Sequence, residues 1–107
     1  MTEKISASHI LIMHIDSDNS RSNLTKVEAK SKIEEIKKKL TQDLNNFRDF
    51  AQQNSDCASS QNGGELGEFG RGMMVKEFEE AAFSLDIGQM SDVVETQFGF
   101  HLIKRDK

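Results

Sequence analysis

The chain has 107 residues, 36% hydrophobic and 30% charged, with a formal net charge of -4. That mix suits a soluble globular protein of one domain, residues 1–107, and excludes a disordered tail; no apolar run reaches the length of a bilayer-crossing helix. The acidic balance argues against nucleic acid as a partner. The lone cysteine, Cys57, excludes an internal disulfide and fits a reducing compartment. The first residues, MTEKISASHILIMH, lack the basic segment, apolar core and small-residue cleavage site of a signal peptide, so the cytoplasm is the expected location.

In chain order, Ile5 to Ile15 reads as a strand. Ile5, Ala7, His9, Leu11, Met13 and Ile15 share one face and Ile10 and Ile12 the other. Apolar residues on both faces make it a central strand. A polar loop follows from Asp16 to Asn23, and Thr25 with Glu28 has the spacing of a capping box that opens a helix over 25–41. Ala29, Ile33, Ile36 and Leu40 form its apolar stripe, with Glu34/Lys38 and Glu35/Lys39 as supporting pairs outside it. A shorter helix is expected from Phe47 to Asn54.

Five of the seven glycines then fall between Gly63 and Gly72, which excludes regular helix and points to turns around a very short strand. Helical spacing returns in Val75, Phe78, Ala82 and Leu85, with Gly88 as the terminator. Two strands close the chain, Asp92 to Glu95 and Gly99 to Arg105. Strand, helices, short strand, helix, strand, strand is the order of an α+β domain with a small mixed sheet.

Four stretches taken together resemble the parvulin family of peptidyl-prolyl cis/trans isomerases. They are ASHILIMH at 7–14, SDCASSQNGGELGEFGRGMM at 55–74, the helix VKEFEEAAFSL and TQFGFHLIK at 96–104. The resemblance implies a four-stranded antiparallel sheet flanked by about four helices, and prolyl isomerisation with no metal or organic cofactor. By position it implies His9 and His101 as paired sheet histidines, Cys57 as the thiol near the reacting bond and Thr96 as a polar partner. Leu66, Met74 and Phe78 would hold the proline ring, with Phe98 joining them as a substrate-binding side chain. The loop after the first strand offers Arg21 beside Asp16 and Asp18, where the phosphate-directed branch clusters Lys and Arg. Phe98 stands where that branch has a small hydroxyl residue, as in the bacterial-type version. Unphosphorylated proline-containing polypeptides are therefore the implied substrates. Val75 replaces a glutamine common in relatives, which bears on how the substrate backbone is held.

Those residue types suit the chemistry. Rotation about the C–N bond is slow because conjugation raises a barrier of roughly 18–20 kcal/mol, and no covalent bond needs to break. A dry pocket with a few fixed dipoles can bind the twisted amide better than either planar isomer. The histidine pair is expected to position the thiol of Cys57, and Asp56 beside it either raises the thiol pKa or fixes the loop. The blander readings are a buried small hydrophobe for Cys57, satisfied strand histidines for His9, His101 and His14, and core packing for Met74 and Phe78. The glycine segment has neither phosphate-binding glycine motif. Lys26, Lys30 and Lys37 read first as a solvated helix face and second as contacts to an anionic membrane surface. A competing function on the same fold is a chaperone that binds extended proline-containing segments without turnover. A thiol hydrolase or metal site lacks any recognisable spacing. A monomer is the simplest assembly.

Overall fold

The computed structural model describes residues 3–18, 20 and 22–107. Arg21, the basic residue singled out in the first loop, lies outside the described residues. The elements in order are β1 (Lys4–Ile12), α1 (Lys26–Gln42), α2 (Phe47–Asn54), β2 (Glu65–Gly70), α3 (Lys76–Ser84), β3 (Val94–Thr96) and β4 (Gly99–Arg105). The strands form one sheet in the order β2-β1-β4-β3, with every neighbouring pair antiparallel. Among the described residues three α-helices are present, close to the about four helices expected, together with two short 3-10 turns, Leu44–Asn46 and Ala58–Asn62.

The central pair β1 and β4 divides the core because side chains alternate across a strand. Ile10, Ile12, Phe100 and Leu102 point to one face and are covered by α1 and α2 through Ile33, Leu40 and Phe47. Ile5, Ala7 and Ile103 point to the other and meet Phe69 of β2 and Phe78 and Ala82 of α3. His9 and His101 share this second face. Helix α1 begins where its capping box predicts: Glu28 N–H donates to Thr25 Oγ1 at 3.1 Å and Thr25 N–H to Glu28 Oε1 at 2.9 Å, satisfying two donors that a helix start otherwise leaves free.

Two strand limits differ from the sequence reading. β1 stops at Ile12, not Ile15, because the next backbone donors leave the ladder: Met13 N–H goes to the Asp56 carboxylate at 2.8 Å and Ile15 N–H to Leu24 O at 2.8 Å. β3 begins at Val94, not Asp92. Ser91 Oγ turns back on Asp92 O at 2.7 Å, and the preceding ladder is a single bridge between Met90 and Lys104.

The lysine face of α1 is largely committed within the molecule. Lys26 pairs with Glu95 and Lys37 with Asp92, each at 2.7 Å, which ties α1 to β3 and the segment before it. That supports the solvated-face reading over an anionic surface, since two of the three cations already have acids beside them. Exposed pairs of this kind contribute about 0–1 kcal/mol.

Candidate active site

Register brings the two histidines together. Leu11 lies opposite His101 and His9 opposite Ile103 across β1 and β4, so the imidazoles are diagonal neighbours on one face. Their Nδ1 atoms are 3.1 Å apart and the rings stack with centroids 5.3 Å apart. On the far side, His101 Nε2 lies 2.7 Å from Thr96 Oγ1, which also accepts Phe98 N–H at 3.1 Å. Phe78 stands edge-on to both rings, 5.4 Å from His9 and 5.3 Å from His101.

Counting protons along this chain selects one arrangement. With His101 Nδ1–H donating to His9 and Thr96 O–H donating to His101 Nε2, every polar atom is satisfied except His9 Nε2, which has no partner. The reverse arrangement leaves His9 Nε2 bare and strands the Thr96 hydroxyl proton as well. The first is favoured because each buried unsatisfied group costs about 1–3 kcal/mol. Thr96 therefore sets the tautomer of His101, and His101 that of His9.

Both rings are held neutral. Burial pushes His9 down to about 4, and burial reinforced by the neighbouring His9 pushes His101 down to about 3. An unfolded histidine titrates near about 6.5, so below that pH the unfolded chain binds more protons than the folded one. The stability gained from neutral rings is complete above the unfolded value and is lost as pH falls through the window toward the folded values. We expect Tm to drop steadily on acidification below about pH 6.5 while kcat/KM stays flat from about pH 5 to about pH 8. A pH-rate profile with an inflection near the ordinary histidine value would show that one ring titrates in the free enzyme.

The histidines form part of the wall of an open cavity of about 530 Å³. Of the eight side chains implicated by sequence, seven line it: His9, Cys57, Leu66, Met74, Phe78, Phe98 and His101. Thr96 sits behind His101 and touches the cavity only through it. No hydrogen bond joins the Cys57 thiol to either histidine among the described residues, contrary to the expectation that the pair positions it. The thiol is instead placed by its backbone: Cys57 caps the Ala58–Asn62 turn, and its N–H reaches Ser55 Oγ at 3.4 Å. Asp56 fixes the loop, the second of its two readings. Its carboxylate accepts Met13 N–H, and its own N–H donates to Leu11 O at 2.7 Å.

Sequence reasoning missed Leu11, Met13 and Met73 as cavity residues. Leu11 and Met13 share the alternation of His9, which was the available signal; Met73 is 67% exposed and sits on the segment between β2 and α3. That segment is braced from α3: Glu79 accepts Gly72 N–H and pairs with Arg71 at 3.6 Å, while the Arg71 guanidinium lies 4.4 Å above the Phe83 ring. Val75 adds apolar surface to the cavity. Gly64 sits directly behind the site at φ 85°, with His9 N–H donating to its carbonyl at 2.9 Å.

This arrangement has known counterparts. The family described as PPIC-type PPIase domain matches residues 1–107. A peptidyl-prolyl cis-trans isomerase Pin1 from Digitalis lanata is 44% identical, covering 97% of this chain and 97% of the relative. Foldase protein PrsA of Staphylococcus aureus (strain MRSA252) is 43% identical over 94% of this chain, which spans 32% of the foldase. Peptidyl-prolyl isomerase ESS1 from Candida albicans superposes with a TM-score of 0.93 at 31% identity, over 97% of this chain and 63% of that one. The family match over the whole chain and these relatives show that the chain belongs to the parvulin family and is a peptidyl-prolyl cis-trans isomerase acting on proline-containing peptides.

Proposed function

We propose that this isomerase accelerates X-Pro rotation in unphosphorylated polypeptides, as an aid to folding. The observation that carries the reading is the charge of the cavity: among the described residues, Asp56 is its one charged lining residue, and no Lys or Arg lines it. A phosphate there would meet a carboxylate and no guanidinium fork. Leu66, Met74, Phe78 and Phe98 hold the proline ring, and the neighbouring polar side is His9, His101, Thr96 and Cys57.

Planar amides are stabilised by charge separation between oxygen and nitrogen, which is lost as the bond twists. An apolar cavity therefore disfavours the planar forms relative to the twisted one, and the neutral histidine chain adds oriented dipoles without a buried charge to neutralise. The free thiol of Cys57 acts as a polarisable neighbour of the amide, since rotation needs no covalent attack. A lone reduced cysteine also suits a cytoplasmic protein, and the chain working as a monomer suits the open cavity.

The test is the cis/trans exchange rate of matched peptides, one with serine before proline and one with phosphoserine, with the wild type and a Met74→Ala variant. Acceleration of the serine peptide, reduced about tenfold or more in a still-folded variant, is the expected result. Acceleration confined to the phosphopeptide would overturn the substrate assignment. Tight binding with no acceleration would favour the chaperone reading.

A further inference from the structure

A second groove of about 730 Å³ adjoins the proline cavity and is lined by residues of the first loop, α1 and the segment 55–60. Met13, Asp56, Cys57 and Ala58 line both, so the two are continuous across that shared wall. A polypeptide seated with its proline in the cavity has one flank that leaves over Cys57 into the groove. Among the described residues, Asp56 is the charged side chain that lines both.

We propose that Asp56 is a specificity determinant that selects a basic side chain on the substrate residue adjoining the proline, and disfavours an acidic or phosphorylated one. This rests on the isomerase reading above and deepens it. The Asp56 carboxylate is pre-organised: Oδ2 accepts Met13 N–H at 2.8 Å, and the backbone is pinned by its bond to Leu11 O. Oδ1 has no hydrogen-bond or ion-pair partner among the described residues. Lys32, the one cation among the described residues lining the groove, is not part of the wall shared with the cavity. A guanidinium or ammonium adjoining the proline would therefore find an ordered carboxylate with no cationic partner among the described residues. Lys32 further along limits the preference to a single cation. Like charge at the same place is rejected by the same group, so one residue supplies both selection and exclusion.

The test uses peptides matched except for Arg, Ala or Glu, placed either before or after the proline, with exchange rate and Kd measured for wild type and Asp56→Asn. Asparagine keeps an oxygen to accept Met13 N–H and removes only the charge. The expected result is an Arg-to-Glu ratio of about threefold to tenfold on one flank, collapsing toward one at high salt and in the variant. A ratio near one on both flanks in the wild type would overturn the proposal, as would a ratio that survives in Asp56→Asn. Turnover of the Ala peptide reports separately on the isomerase reading, and the Kd ratio reports charge selection even without turnover.

Discussion

Thr96→Val is expected to remove about 2–5 kcal/mol of stability and to lower kcat/KM by about tenfold to a hundredfold, although the two side chains have nearly the same shape. Valine takes away the oxygen that accepts Phe98 N–H and partners His101 Nε2. His101 Nε2 would remain buried without a partner, at about 1–3 kcal/mol, and the half-buried Phe98 N–H would lose its acceptor. The proton order then loses its anchor: His101 Nε2 no longer has a donor, and the Nδ1 contact with His9 is free to reverse. Thr96→Ser should stay close to wild type because it retains the hydroxyl. Chemical denaturation gives the first quantity and peptide exchange rates the second. A valine variant with full activity and a reduced Tm would reduce Thr96 to a structural role.

Gly64→Ala is expected to destabilise the fold by about 3 kcal/mol or more, which for a domain of this size lowers Tm by roughly 12 °C or more. Two effects add there. The residue sits at φ 85°, and a Cβ would lie 2.3 Å from the His9 carbonyl oxygen, a backbone atom that cannot rotate away. Gly67 separates these effects, because its φ is 77° but a Cβ there would have nothing within 4 Å. Gly67→Ala should cost only about 1–2 kcal/mol for the left-handed backbone. Thermal melts of the two variants should therefore differ clearly. If they match, the close approach of Gly64 to His9 carries no energy. Since His9 N–H also bonds Gly64 O, the Gly64 variant should lose activity beyond its loss of folded protein.

Local signals in the sequence predicted local structure well. The Thr25/Glu28 spacing marks the start of α1, and the limits Gly99–Arg105 read from the sequence are those of β4. Both rest on patterns complete within one element. The end of β1 is different: Met13 and Ile15 continue its alternation, yet their donors are captured by Asp56 and Leu24 from elsewhere in the chain. Alternation records which face a residue takes and not what its backbone pairs with. The site shows the same division. The resemblance supplied His9, His101, Cys57 and the apolar side chains that line the cavity with them, while the direct contact of the imidazoles depends on a register between distant strands. Met73 was missed because an exposed methionine has no periodicity to distinguish it. The separation of the Cys57 thiol from the histidines was also illegible, since it follows from how the 55–60 segment docks on β1.

The bond between the imidazoles spans 92 positions of sequence and lies across the two middle strands of the sheet. During synthesis, the site therefore cannot exist in part: a nascent chain emerging as far as α3 already carries His9, Cys57, Leu66, Met74 and Phe78, yet lacks Phe98 and His101 and so has no complete cavity. Catalysis begins only when β4 slots between β1 and β3, a step that also closes the core on both faces. A catalyst assembled last is a gate on its own activity, and because the sequence contains no proline, that final pairing waits on no isomerisation within the chain itself.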